Sequence, residues 1–144
     1  MNAESQSRGG ITEGMVKAEF DIITDQIIAA AIEVHRELGP GLLESVYEIC
    51  LLKELMSRGL SVEQQVLVPV IYKNEKLNKE FYIDILVENE VVIELKAVEI
   101  LLPVHEVQLV TYLKLANKRL GLLLNFNVPV LKDGIRRRVN KLIE

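Results

Sequence analysis

The sequence predicts a single mixed α/β domain, and three observations carry that expectation. Two segments with helical spacing come first. Three short apolar strands joined by polar turns follow, and then a helix and a continuous apolar strand. The 144 residues suffice to bury one real core. The chain is 49% apolar and 26% charged, an ordinary globular balance; with no Trp and 5% aromatic residues its core must be aliphatic.

Residues 1–18 are polar and glycine-containing and are expected to be disordered. Residues 19–127 form the core domain, and 128–144 are a basic tail packed on the core or extending it. In "ITDQIIAAAIEVHRELG" the residues Ile28, Ala31, Ile32 and His35 share one helical stripe, with Thr24 as N-cap and Gly39-Pro40-Gly41 as terminator. A second helix is predicted from Leu42 to Gly59, apolar on more than one side as if packed between layers. Strands follow at roughly 64–72, 79–87 and 91–98, paired as an antiparallel meander. Pro69 argues that the first of them lies at an edge or carries a bulge. Pro103 opens a helix, and "RLGLLLNFNV" reads as a strand buried on both faces, giving a sheet of about four strands.

Several classes are excluded. No apolar run approaches the ~18 residues of a membrane span, and the N-terminus lacks an apolar signal core, so a cytoplasmic protein with no membrane partner is expected. Cys50 is alone, which suits a reducing compartment and rules out a zinc ribbon. The two His residues lack metalloprotease spacing. The segment Gly39-Pro40-Gly41 lacks the Lys-Ser/Thr of a phosphate loop, and Ser45 and Ser57 lack a nearby base. Net charge is −4, yet Val128–Glu144 carries a surplus of three positive charges, leaving about −7 on the rest. Such a tail could touch a phosphate backbone or simply be a solvated surface strand or helix.

The strands raise a sharper question, because "FYIDILVENEVVIELKAVE" places Asp84, Glu94 and Lys96 among apolar residues. Side chains two apart on a strand share a face, so Val92, Glu94 and Lys96 oppose Val91, Ile93, Leu95 and Ala97. By the same rule Tyr82, Asp84 and Leu86 oppose Phe81, Ile83 and Ile85, and the turn at 88–90 brings Asp84 near Glu94. Two readings stand open. One is a Glu94–Lys96 ion pair on the solvent side of a half-exposed sheet. The other is a divalent cation held by hard carboxylate oxygens, with Lys96 serving a water or a developing charge.

Asp84, nine further residues and then Glu94-Leu95-Lys96 resembles the core signature of the PD-(D/E)XK nuclease superfamily, with Ile83 where that family has Pro. In "GPGLLESVYE", Gly41, Glu44 and Tyr47 spell G-x-x-E-x-x-Y, and the chain from about 22 to 127 resembles the GxxExxY family, a compact branch of that superfamily. The resemblance implies a restriction-endonuclease-like αβββαβ core, with a mixed central sheet flanked by helices. It implies a Mg2+- or Mn2+-dependent hydrolase of phosphodiester bonds, with DNA ahead of RNA as substrate.

Carried over residue by residue, Asp84, Glu94 and Glu44 would serve the metal, and Lys96 the attacking water. In "VHEVQLVTYL", His105, Gln108 and Tyr112 can project from one helix face, and Gln108 and Tyr112 match residues that support the superfamily's site. The residues read alone would give Glu44 only a helix-dipole role. Arg136, Arg137, Arg138 and His105 are expected nucleic-acid contacts, and His35 is read as a hydrogen-bonded core residue. A homodimer would juxtapose two sites for two strands. The alternative is a catalytically inactive nucleic-acid-binding or assembly module on the same fold, favoured by the acidic pI near 5.3 and the lack of a basic groove.

Overall fold

In the computed structural model, which describes residues 15–141, five strands form one mixed sheet in the order β1-β2-β3-β4-β5. The elements are α1 (Lys17–Leu38), α2 (Glu44–Ser57), β1 (Val62–Tyr72), β2 (Glu75–Val87), β3 (Val91–Lys96), α3 (Pro103–Ala116), β4 (Leu120–Asn125) and β5 (Ile135–Val139). β3 and β4 run parallel and every other neighbouring pair is antiparallel. The expected α/β architecture is therefore present. Of the segment expected to be disordered, residues 1–14 lie outside the described residues, and α1 takes up its end.

The first helix starts seven residues before Thr24. The backbone N–H of Val16 donates to Glu19 Oε1 at 3.0 Å, and this capping contact opens the helix early. Thr24 lies inside it, its hydroxyl donating to the Asp21 carbonyl at 3.1 Å. The buried stripe is correspondingly rotated, centring on Phe20, Ile27, Ala31 and Val34, while Ile28 and Ile32 are only half-buried. No described helix is long and apolar enough to cross a membrane.

α1 and α2 cover one face of the sheet, burying Phe20, Ile27, Tyr47, Leu51 and Leu55 against Ile85, Ile93, Leu95, Leu122 and Leu124. α3 covers the other, with Leu109 and Leu113 against Val68, Ile83, Leu86, Val92 and Leu123. All six residues of β4 are buried, as a strand between two helical layers must be. Pro69 does sit on an edge strand, next to a shift of register between Pro69 and Ile71.

Two expectations are corrected. The sheet has a fifth strand, because residues 135–139 of the basic tail pair with β4, Arg136 opposite Leu123 and Arg138 opposite Gly121. The alternation in β2 breaks at Asp84: Ile83 packs under α3, whereas Ile85 packs under α1 and α2. β1 breaks opposite the same point, with Val62 on the α1–α2 side and Val66 and Val68 on the α3 side. The residue at that break, Gln65, has a left-handed backbone with φ 52°.

Candidate active site

The break in β2 turns Asp84 out of the ladder. The β2–β3 pairing ends at Ile85 opposite Ile93, and from there side chains take over the backbone's hydrogen bonds. The Leu95 N–H donates to Asp84 Oδ2 at 2.8 Å, and the Asp84 N–H donates to Glu94 Oε2 at 3.3 Å. Glu94 is only 8% exposed. Burial first, then the Asp84 charge, raises its carboxyl from 4.5 to about 8. No Glu94–Lys96 ion pair is present among the described residues, and a solvent-side pair is ruled out by that burial.

Glu44 arrives from α2. It is the first residue of that helix, and the loop before it is locked by Tyr47. The buried Tyr47 hydroxyl donates to the Gly39 carbonyl at 2.5 Å and accepts the Leu42 N–H at 3.1 Å, while its ring stacks on Phe126 with centroids 4.6 Å apart. Gly41, with φ 99°, supplies a backbone turn that few other residues tolerate. The G-x-x-E-x-x-Y spacing thus has a local cause: glycine turns the chain, tyrosine ties the turn, and glutamate leads the helix that packs on the sheet.

The three carboxylates share one field. Burial followed by the Asp84 charge raises Glu44, and burial raises Asp84, with the nearby Glu48 charge adding to it. The Lys96 ammonium acts in the opposite direction on all three. Tyr112 faces the same place: burial, then the Glu94 and Asp84 charges, raise its phenol. Its ring is held by stacking on Phe81, with centroids 4.2 Å apart. Gln108 lies one turn earlier on α3 and is exposed. The chain leaving β3 after Lys96 is fixed by Asn125, whose amide both accepts the Val98 N–H at 3.0 Å and donates to the Val98 carbonyl at 2.9 Å.

Other expected residues have structural partners of their own. His105 Nδ1 accepts the Leu102 N–H at 3.0 Å and caps α3. His35 is 9% exposed, with Nε2 2.8 Å from the Val128 carbonyl, as a core histidine should be. On β5, Arg136 and Arg138 pair with Glu106 on the α3 side, and Arg137 pairs with Asp21 of α1. Arg136 lies in register with Leu123 and through it with Glu94, two strands or roughly 10 Å away. Sequence reasoning missed Glu48, Gln64 and Gln65; the available signals were the i,i+4 spacing of Glu48 from Glu44 and two adjacent glutamines in an apolar strand.

The donor set suits a hard divalent cation: oxygen ligands, strong local negative charge and one lysine. Among the described residues no three Asp, Glu, His or Cys side chains converge as a finished cage.

The family model for the PD-(D/E)XK nuclease superfamily matches residues 21–138. The chain belongs to that superfamily, and its mixed sheet with flanking helices is the restriction-endonuclease-like fold. Nucleases of this superfamily act on nucleic acid and generally use divalent metal ions. Among solved structures, the crystal structure of SSO0001 is similar over 88% of this chain and 62% of that one, at 17% identity and a TM-score of 0.49; the chain therefore spans about 62% of that structure's length. A comparison with curated proteins gives no match.

Proposed function

We propose that this chain is a Mg2+- or Mn2+-dependent nuclease of the GxxExxY type that hydrolyses phosphodiester bonds, in DNA ahead of RNA. The observation that carries the reading is the shared field where the β2–β3 pairing breaks off. Glu44, Asp84 and Glu94 are each destabilised as anions by burial and by acidic neighbours, and Lys96 opposes that for all three. Such crowding is relieved by a cation.

Asp84 and Glu94 are the direct holders in this reading, and Glu44 acts through water. A bound divalent ion supplies positive charge against the phosphate and acidifies water. Lys96 donates hydrogen bonds to the attacking water and offsets charge as it grows on phosphorus-bound oxygen. Tyr112 and Gln108 line the α3 side and steady the lysine and the substrate. Arg136, Arg138 and His105, on the α3 side, are assigned to backbone contacts, whereas Arg137 pairs with Asp21 on the α1 face and is not; a homodimer would bring two such sites to the two strands of a duplex.

A second reading has an observation of its own. With its carboxyl raised to about 8, Glu94 is largely protonated at neutral pH when no cation is bound. A non-catalytic binding or assembly module would keep the acids as a neutralised polar network of that kind. Incubation with supercoiled plasmid and single-stranded oligonucleotides, with Mn2+ or Mg2+, separates the two. Wild type should nick or degrade substrate and the Asp84→Ala/Lys96→Ala double variant should not; equal behaviour would favour the module.

A further inference from the structure

In a pleated strand, adjacent side chains point to opposite faces. Gln64 and Gln65 are adjacent in β1, yet both side-chain amides donate to the same oxygen, Glu48 Oε2, at 2.7 and 2.9 Å. The cause is the backbone of Gln65. Its φ of 52° is left-handed, whereas among the described residues the other non-glycine residues with positive φ sit in the turns at Lys73-Asn74 and Glu88-Asn89 or at the Asn117 cap of α3. Non-glycine residues rarely adopt this region, and within strands such distortions re-aim side chains beside functional sites.

What the distortion achieves is visible at the other end of the amide. Gln65 Nε2 also donates to Asp84 Oδ1 at 3.3 Å, while Leu95 N–H occupies Asp84 Oδ2. The Asp84 carboxylate is therefore gripped on both oxygens. Glu48, only 8% exposed and held by both glutamines, anchors the grip to α2.

We propose that Gln65 is a positioning residue for Asp84, with Glu48 as its anchor, and that the left-handed backbone of Gln65 serves this positioning. The inference rests on the reading of Asp84 as a cation-holding carboxylate. Partners that orient a metal-holding side chain typically change cation affinity by about 10- to 100-fold when removed.

Two variants of the full chain test it, by Mn2+ titration calorimetry and by melting temperature. Gln65→Met keeps the length and loses the donor; Gln65→Gly loses the donor and also relieves the backbone. Both should weaken Mn2+ by about ten-fold or more, and Gln65→Gly should still melt no lower than Gln65→Met. Mn2+ affinity unchanged in both, while Asp84→Ala abolishes it, would overturn the positioning role and leave the nuclease reading intact. If Mn2+ binding is absent or independent of Asp84, the nuclease reading fails, and the side-chain amide of Gln65 decides the positioning separately. By NMR that amide should exchange slowly with solvent and shift in both Glu48→Gln and Asp84→Asn; a fast-exchanging amide that ignores both overturns it.

Discussion

Asp84 and Glu94 clasp one another across the β2–β3 boundary: the Asp84 N–H donates to Glu94 Oε2, and the Asp84 carboxylate accepts the N–H of Leu95, the residue after Glu94. Each acid thus occupies a place that a ladder bond would fill, and burial holds the Glu94 carboxyl near 8. Below about pH 4.5 that group is neutral whether the chain is folded or not. Between 4.5 and about 8 the unfolded chain releases the proton while the folded one keeps it. Stability must therefore fall as pH rises through this window and level off above it. The loss is on the order of a few kcal/mol. Glu94→Gln should flatten the slope and exceed wild-type stability above about pH 8, as denaturant melts across that range would record.

The same proton couples to the cation. Binding a metal to a carboxylate that is protonated beforehand releases a proton. Mn2+ affinity should rise with pH until about pH 8 and then level, and the calorimetric heat at neutral pH should depend on the buffer's ionisation enthalpy. Glu94→Gln should bind weakly at every pH, with a smaller buffer dependence than wild type.

Tyr47 ties the loop that delivers Glu44. Tyr47→Phe leaves the stack on Phe126 but strips partners from the Gly39 carbonyl and the Leu42 N–H, which should cost about 1–3 kcal/mol. Thermal melts check the cost. In nuclease assays the same variant should lose activity beyond what its stability explains, because the start of α2 is no longer fixed.

The arginines of β5 divide by face. Arg136 and Arg138 lie with α3 and Glu106, Arg137 with α1 and Asp21. These exposed ion pairs are worth at most about 1 kcal/mol, so alanine at any of them should hardly move the melting temperature. If the α3 side carries nucleic acid, Arg136→Ala and Arg138→Ala should each lower the slope of log affinity against log salt by about one, and Arg137→Ala should not.

Much of this was legible from residue patterns. The period-two alternation placed Glu94 and Lys96 together, and the turn at 88–90 set their distance from Asp84, because strand geometry is local. Pro69 announced an edge for the same reason. What lay hidden depends on contacts far apart in sequence. The Glu19 contact that starts α1 early comes from a single charged residue that no pattern in the sequence sets apart. β5 read as a charged tail because an edge strand exposes its side chains, and its pairing is only apparent once β4 is in place. The flip at Gln65 and Asp84 violates the alternation that made the rest readable, and it falls at the proposed site.

The most direct test of the proposed cation pocket is diffraction from crystals grown with Mn2+, using anomalous scattering at the manganese edge. We expect one peak bounded by the Asp84 and Glu94 carboxylates, with Glu44 reaching it through water and Lys96 alongside. A peak elsewhere, or none while both acids keep their present hydrogen bonds, would contradict the pocket and the nuclease reading built on it.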